Sequence, residues 1–335
     1  MPKPINALIT RRTLIGTGLL VGADAALTPW ASAASLPLIK KKIPSTGEQI
    51  PAMGIGTNAF HTNRYKYEEL RDVLERMHEL GGKVIDTAGL YGDSEAVIGK
   101  ALAELNLRNQ MFIATKFNAV GAKEGGPPGP APGTPFPGPP PVDTLFGEES
   151  FERSLMRLQT DHIDLMQAHY LSSLEPLMPL LQKLKKDRKI RYIGVTTISG
   201  QDHPLLIECM RKYPIDFIQV DYSLGNREAA KTVFPVARER KIAVMVAVPL
   251  GGHFGSLMNQ ISNRQLPSWA ADIDATSWSQ FFLKYVISHP DVTCAIPGST
   301  QPEHVEDDQM AGHGRIANAA MRKRMEEFWD SNESH

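Results

Sequence analysis

Eight short apolar runs recur along this chain, and each is followed by a stretch with the apolar spacing of a helix. The run Ile242–Val248, for example, reads Ile-Ala-Val-Met-Val-Ala-Val without one polar residue. Continuous apolar runs of this kind are typical of parallel strands that are covered on both faces. Eight strand–helix units in a chain of 335 residues predict an α/β fold, a (β/α)8 TIM barrel, rather than an open sheet.

Turn residues between extended flanks in Leu36–Ile50 add an N-terminal β-hairpin, and a last helical pattern adds a C-terminal helix. The predicted strands are Ala52–Thr57, Lys83–Asp86, Met111–Lys116, Ile163–His169, Tyr192–Thr196, Phe217–Asp221, Ile242–Val248 and Val292–Pro297. The predicted helices are Tyr67–Leu80, Ser94–Leu105, Glu148–Leu158, Leu174–Lys186, Pro204–Lys212, Glu228–Arg240, Ser277–Ser288, Glu303–Met310 and Ala317–Trp329.

The first 33 residues have the three features of a bacterial Tat (twin-arginine) export signal. Arg11-Arg12 is the arginine pair, Leu14–Leu27 is a short apolar segment, and Ala31-Ser-Ala33 is a small-residue cleavage pattern. We interpret residues 1–33 as a signal peptide read by the Tat machinery, and residues 34–335 as one domain that functions in the periplasm. The alternative is a lone amphipathic or anchoring helix. The apolar segment is too short for an ordinary membrane span, so none is expected in the mature form.

Composition narrows the possible partners. The formal net charge is −1 and charges of both signs are mixed along the chain, which argues against a nucleic-acid or anionic-membrane surface. There are only two cysteines, although export would bring the chain to an oxidising compartment. Cys209 falls in a predicted helix and Cys294 in a predicted strand, and we expect both to be free and buried.

Residues 121–142 interrupt the strand–helix alternation with nine prolines and several glycines. Proline at this density excludes a helix or a central strand and favours an extended, polyproline-like loop. Because this loop follows the third strand, it is expected at the barrel mouth. It is interpreted either as a lid on the substrate side or as a neutral surface insertion or partner-binding segment.

Polar side chains end three consecutive predicted strands. The second strand ends in Asp86, with Tyr91 just beyond it, the third in Lys116 and the fourth in His169. Since neighbouring strand ends converge at one mouth of a barrel, the four side chains are expected to lie together. A lysine held by the aspartate would lower the pKa of the phenol, and the histidine would orient a substrate oxygen. This set can protonate a carbonyl oxygen as hydride arrives at carbon, or run in reverse. No metal cluster at recognised spacing is present.

With these residues the chain resembles the aldo-keto reductases over nearly all of residues 37–330. The matching motifs are Asp86-Thr-Ala-x-x-Tyr91-Gly, Thr115-Lys116, the strand that ends at His169, Ile193-Gly-Val195, Gln219-Val-x-Tyr222 and Ile296-Pro-Gly-Ser299. The resemblance implies that Asp86, Tyr91, Lys116 and His169 form the catalytic tetrad, with Tyr91 as general acid. It implies hydride transfer between a nicotinamide cofactor, NADP or alternatively NAD, and a small carbonyl or alcohol substrate.

The resemblance also implies a cofactor that lies extended across the barrel mouth. Thr196, Thr197 and Gln219 would hold its carboxamide, Pro249-Leu250-Gly251 would follow the pyrophosphate, and Ser299 with the Gly298–His304 loop would lie near the adenosine. The full set of cofactor-binding residues that follows is Thr57, Asp86, Thr196, Thr197, Gln219, Tyr222, Pro249, Leu250, Gly251, Gly298, Ser299, His304, Asp307 and Asp308.

Three departures from the family pattern bear on the cofactor. Thr196-Thr197 stands where the family usually has Ser-Asn, and a hydroxyl does not reproduce both contacts of an amide. Ala247 stands where the family often has the tyrosine that stacks on nicotinamide, which leaves Tyr222 as a candidate ring. Gly298 and His304 stand where NADP-specific members often carry basic residues, so NAD stays open. The alternative function is a non-catalytic nicotinamide-binding sensor or partner subunit on the same barrel.

Overall fold

The computed structural model describes residues 36–117, 144–252, 256–261 and 264–332. The predicted signal peptide, residues 1–33, and the predicted loop at residues 121–142 lie outside these ranges. The family-matching motifs all lie within them, so each of the residues in those motifs can be located in the fold.

Eight parallel strands form one sheet in chain order. They are β3 (Gly54–Gly56), β4 (Val84–Asp86), β5 (Phe112–Phe117), β6 (Ile163–Ala168), β7 (Ile190–Thr196), β8 (Phe217–Asp221), β9 (Ala243–Ala247) and β10 (Val292–Ala295). Parallel bridges from Met53 to Ala295 and from Gly56 to Gly298 connect the first strand to the last. The sheet therefore curls into the predicted (β/α)8 barrel, and all eight predicted strands are confirmed to within a few residues.

Side chains alternate between the barrel interior and the helix layer, as the pleat of a strand requires. On β6, for example, Leu165 belongs to the interior cluster, whereas Met166 packs in the outer cluster under the helices. Both clusters are buried, which explains why these strands are mostly apolar. Asp86, Lys116 and Gln167 come at or next to the carboxyl ends of their strands, whereas Gln219 lies in the middle of β8.

Helices alternate with the strands and cover the barrel. They are α1 (Tyr67–Glu79), α2 (Ser94–Glu104), α3 (Thr144–Leu158), α4 (Leu171–Lys186), α5 (His203–Lys212), α6 (Glu228–Thr232), α7 (Phe234–Glu239), α8 (Leu257–Ile261), α9 (Trp278–Ile287), α10 (Pro302–Met310) and the C-terminal α11 (Ala319–Asn332). The continuous helix predicted over Glu228–Arg240 was wrong, because the chain breaks at Val233. Pro235, just after the break, has no N–H with which to continue the hydrogen-bond ladder.

The predicted N-terminal hairpin is formed by β1 (Lys40–Lys42) and β2 (Gln49–Pro51), which pair antiparallel. Ile43 and Ile50 of the hairpin pack with the interior side chains at the amino ends of the strands. The Tyr192 phenol of β7 also lies 3.0 Å from the Thr46 hydroxyl in the hairpin turn. The hairpin thus closes the end of the barrel opposite the strand ends that carry the polar residues.

Two further sequence expectations can be checked in the described ranges. Cys209 and Cys294 are both free and buried, as predicted. None of the helices described is both long enough and apolar enough to traverse a membrane.

The contact between α2 and α3 depends on Gly99. A methyl group built there would lie 2.1 Å from the carbonyl oxygen of Arg157. Gly99→Ala should therefore destabilise the protein by about 2 kcal/mol in urea unfolding, although alanine is otherwise the better helix former. Gly147→Ala is the matched control, since its methyl group would meet only the ends of side chains, with Leu177 at 2.7 Å and Leu180 at 3.2 Å, and no backbone atom. Equal losses in the two variants would contradict this account of the contact.

Candidate active site

A buried ion pair between Asp86 and Lys116 lies at the carboxyl end of the barrel. Lys116 Nζ donates to Asp86 Oδ1 at 2.8 Å, to Asp86 Oδ2 at 2.7 Å and to the carbonyl oxygen of Thr87 at 2.8 Å. Both side chains are almost fully buried. Strand register explains why the Asp86 and Lys116 side chains are in contact, because Asp86 pairs with Ala114, two residues before Lys116 on the neighbouring strand.

Tyr91 and His169 lie beside this ion pair. Lys116 Nζ is 5.0 Å from the centre of the Tyr91 ring. The Tyr91 and His169 rings meet edge to face with centroids 5.7 Å apart. Tyr91 is in the loop after β4 and His169 directly follows β6, so two different strand ends deliver them. The structure therefore brings together all four residues of the predicted tetrad.

The ion pair keeps Lys116 charged inside an apolar barrel. Burial alone would lower the pKa of Lys116, but the attraction and hydrogen bonds of Asp86 and Tyr91 together outweigh burial and raise it above 10.5. Burial pushes the pKa of Asp86 upward, and Lys116, Gln219 and Gln167 oppose that push by attraction and hydrogen bonds. Because Lys116 donates to both carboxylate oxygens, the charged pair is the form that this geometry stabilises.

For Tyr91 the sequence-based expectation of a lowered pKa needs correction. Burial has the largest influence and raises the pKa of the phenol above 10. Lys116 does lower it, by charge and by a hydrogen bond, but the negative charge of Asp86 acts against Lys116. The carboxylate that holds the lysine in place thus cancels part of the lysine's effect on the phenol, and Tyr91 stays protonated at neutral pH.

His169 is held neutral. Burial, assisted by the nearby charge of Lys116, lowers the pKa of His169 from 6.5 to about 3. Its Nδ1 atom is buried and has no hydrogen-bond partner among the described residues. An imidazole in this setting can donate or accept one hydrogen bond at its other nitrogen without adding charge to the site.

Gln167 is a member of this cluster that the sequence reasoning missed. Its Nε2 atom donates to Asp86 Oδ1 at 3.3 Å and to Gln219 Oε1 at 3.0 Å. Gln219 Nε2 in turn donates to Asp86 Oδ2 at 3.3 Å. The alternation of side chains along the strand could have identified Gln167, because it lies on the same face of β6 as Leu165. Gln167 is also paired in register with Lys116.

The predicted cofactor residues separate into supporting and open positions. Thr57 is fully buried, donates to the backbone oxygen of Asp86 at 2.9 Å and accepts from Ser94, so it braces the strand end. Thr196 and Thr197 end β7 next to Gln219, and the Thr197 hydroxyl donates to Asp202 at 2.9 Å. Thr57 thus uses its hydroxyl within the protein, whereas Thr197 keeps one acceptor position free.

The segments after β9 and β10 flank the same mouth. Pro249-Leu250-Gly251 forms a tight turn in which Val248 and Gly251 have positive φ angles of 43° and 85°. Gly298 is exposed beside Gly56, and a methyl group built on it would meet nothing closer than 3.6 Å. Ser299 is nearly buried, and its hydroxyl donates to the carbonyl oxygen of Gln301.

Three residues of α10 that were predicted to bind cofactor differ in availability. His304 is exposed. Asp307 instead accepts hydrogen bonds from Ser277 and Gln280 at 2.7 Å, and Asp308 accepts one from Ser279. Burial raises the pKa of Asp308 to about 7. Both carboxylates fasten α10 to the start of α9.

Tyr222, the candidate ring for stacking on nicotinamide, lies in the helix layer. Its phenol donates to Tyr285 and accepts from Arg322 at 2.7 Å, and Tyr285 donates to Glu326. Its ring packs against Phe234 and Tyr285 in the helix layer. Tyr222 therefore anchors the C-terminal helix α11, three residues beyond the inward-facing Gln219.

Metal chemistry has no visible support in the described ranges. No three His, Cys, Asp or Glu side chains there are grouped closely enough to hold a metal ion. The polar residues at the mouth instead pair among themselves.

Comparison with known proteins identifies the family. The model of the aldo/keto reductase family matches residues 52–323. Similar curated proteins include aldo-keto reductase str7 of Strobilurus tenacellus, 26% identical over 82% of this chain and 88% of that protein. Methylglyoxal reductase YeaE of Escherichia coli is 29% identical over 80% of this chain and 88% of its own.

A solved aldo/keto reductase from Klebsiella pneumoniae, in complex with NADP and acetate, has a similar fold. Its TM-score is 0.64 and its identity 22%, over 87% of this chain and 96% of the solved one. The protein is thus a (β/α)8 barrel oxidoreductase. It belongs to the aldo/keto reductase family.

The lowered pKa of His169 predicts a pH dependence of stability. Between pH 6.5 and about 3, His169 binds a proton in the unfolded chain but not in the folded protein. Stability therefore falls as pH drops through this window. His169→Gln should reduce the slope of unfolding free energy against pH by up to about 1.4 kcal/mol per pH unit. Urea unfolding of the wild type and of His169→Gln at several pH values measures both slopes. Subtracting one slope from the other removes the contributions of all other titrating groups. Parallel curves would show that His169 titrates normally.

Proposed function

We propose that this protein reduces an aldehyde or ketone to the alcohol with NADPH, and that Tyr91 donates the proton. The observation that carries the proposal is the buried Lys116–Asp86 pair beneath a phenol and beside a neutral imidazole. Two similar proteins support the choice of chemistry, since one is named a methylglyoxal reductase and another was solved with NADP.

The residues at the mouth fit a nicotinamide carboxamide. Gln219 uses one N–H on Asp86 and one lone pair on Gln167, which leaves one donor and one acceptor on its amide. The Thr197 hydroxyl can accept one further hydrogen bond. Bound nicotinamide nucleotide would supply the hydride, and its pyrophosphate would follow Pro249-Leu250-Gly251 toward the exposed Gly298.

The chain's own residues then handle the proton. As hydride reaches the carbonyl carbon, the carbonyl oxygen gains negative charge and takes the phenolic proton of Tyr91. Lys116 stabilises the resulting phenolate, which is the form that a nearby ammonium favours. Because His169 Nδ1 has no acceptor among the described residues, the tautomer protonated at Nε2 is favoured, and that N–H can donate to the same oxygen. In the reverse direction the phenolate of Tyr91 accepts the proton of the alcohol.

Tyr91→Phe tests the proton donor. The variant should lose turnover by about 10²- to 10⁴-fold, because general acid catalysis contributes that much, and should bind NADPH as the wild type does. Turnover is measured as carbonyl-dependent NADPH oxidation with a panel of aldehydes, ketones and sugars. NADPH binding is measured by fluorescence titration. Running NADH in parallel decides between the two cofactors.

Tyr192→Phe is the matched control, since its buried phenol donates to Glu48 at the opposite end of the barrel. It should keep wild-type turnover. Full activity of Tyr91→Phe would remove Tyr91 from the acid role. Wild-type protein that binds NADPH but reduces no carbonyl would instead favour the non-catalytic nicotinamide-binding function.

We further propose that the chain is exported folded through the Tat pathway to the periplasm, which the Arg11-Arg12 motif supports. Replacing both arginines by lysine keeps the charge but removes the pair, and should leave the protein in the cytoplasm of a Tat-competent bacterium. Cell fractionation with immunodetection measures the distribution, and cleavage after Ala33 is expected only in the wild type. Equal periplasmic amounts of both proteins would exclude this route.

A further inference from the structure

The side chain of Gln167 spans the barrel interior between the proton-donating residues and the cofactor-holding ones. It starts on β6, and its amide contacts Gln219 on β8, two strands away. The strand between them, β7, has Gly194 at the facing position. A methyl group on Gly194 would lie 3.0 Å from Gln167 Cγ. The absence of a side chain there therefore leaves the space through which Gln167 reaches across.

Gln167 fixes which way the amide of Gln219 points. The Gln167 amide donates to Gln219 Oε1, so Gln219 must turn its own Nε2 toward Asp86. Without that donor the Gln219 amide could rotate by half a turn, and its oxygen would then face the carboxylate. A rotated amide would also exchange the donor and the acceptor that it offers at the mouth.

Gln167 also completes the hydrogen bonds of Asp86. Each carboxylate oxygen accepts from Lys116 and from one glutamine, Oδ1 from Gln167 and Oδ2 from Gln219. The four contacts hold the carboxylate in one orientation, and with it Lys116 beneath Tyr91. Gln167 is fully buried, so water cannot readily replace its amide.

We propose that Gln167 is a positioning residue that orients Gln219 for the cofactor and Asp86 for Lys116, across the gap left by Gly194. This inference rests on the proposed NADPH-dependent reduction. If it holds, both NADPH affinity and turnover at saturating cofactor depend on the Gln167 side chain. A glutamine with only a structural role would not link these two properties.

The first test compares Gln167→Met with Gln309→Met in the full mature protein. Methionine keeps the volume of Gln167 but removes its donors, and should weaken NADPH binding about tenfold and lower kcat about tenfold. Gln309 is also buried, but donates to the carbonyl oxygen of Gly54 at 2.9 Å, away from the tetrad. Gln309→Met should leave both values within about twofold, with thermal unfolding used to confirm that each variant folds.

Two further variants separate positioning from loss of structure. Gly194→Ala keeps the Gln167 amide but displaces it, and should reproduce both losses. Gln167→Glu should regain part of its affinity and turnover toward low pH, because the protonated carboxyl has one O–H that can donate to Asp86 or to Gln219, whereas the amide donates to both. It should lose them at high pH, where two carboxylates face each other. Gln167→Met should show no such extra ionisation in its pH profile.

The outcomes distinguish the two proposals. If the wild type binds no NADPH and reduces no carbonyl, the proposed function fails and this inference fails with it. If the wild type is active and folded Gln167→Met matches it in NADPH affinity and kcat, only the role of Gln167 is overturned. Equal losses in Gln167→Met and Gln309→Met would likewise overturn it, since they would reflect a general effect of deleting a buried amide.

Discussion

The charge on Lys116 is the constraint around which the mouth of this barrel is arranged. An ammonium group buried this deeply is stable only if a carboxylate and further acceptors surround it, and Asp86 and the carbonyl of Thr87 meet that need. Asp86 in turn needs donors, which Gln167 and Gln219 supply. Removing one partner of such a pair typically costs about 3–5 kcal/mol, because the other charge stays buried.

Balance within this cluster also explains the state of the two rings. Burial is the largest influence that keeps the Tyr91 phenol protonated, and Asp86 opposes the effect of Lys116 on the pKa of that phenol. Burial also keeps His169 neutral, with help from the charge of Lys116. A protonated phenol next to a neutral imidazole suits a site proposed to give a proton to a carbonyl oxygen.

Much of this arrangement could be predicted from the sequence, because it depends on local periodicity. Apolar runs located all eight strands, and strand ends located Asp86, Lys116 and His169. Residues whose roles depend on distant partners could not be predicted in the same way. Tyr222 belongs to a motif near the mouth, but its phenol pairs with Arg322, which is 100 residues away in sequence. The sequence around Asp308 gives no sign of the burial against α9 that the structure shows. The role of Gln167 depends on the gap at Gly194.

The hairpin that closes the amino end of the barrel limits how a ligand can enter and leave. Ile43 and Ile50 fill that end, so a molecule that reaches Lys116 must enter and leave on the side of Tyr91 and His169. Two ligands that share one doorway cannot exchange independently when one lies beneath the other. If the nicotinamide nucleotide of the proposed function binds deeper than the substrate, it must bind first and leave last. The order of binding and release would then be set by the architecture of the barrel rather than by relative affinities.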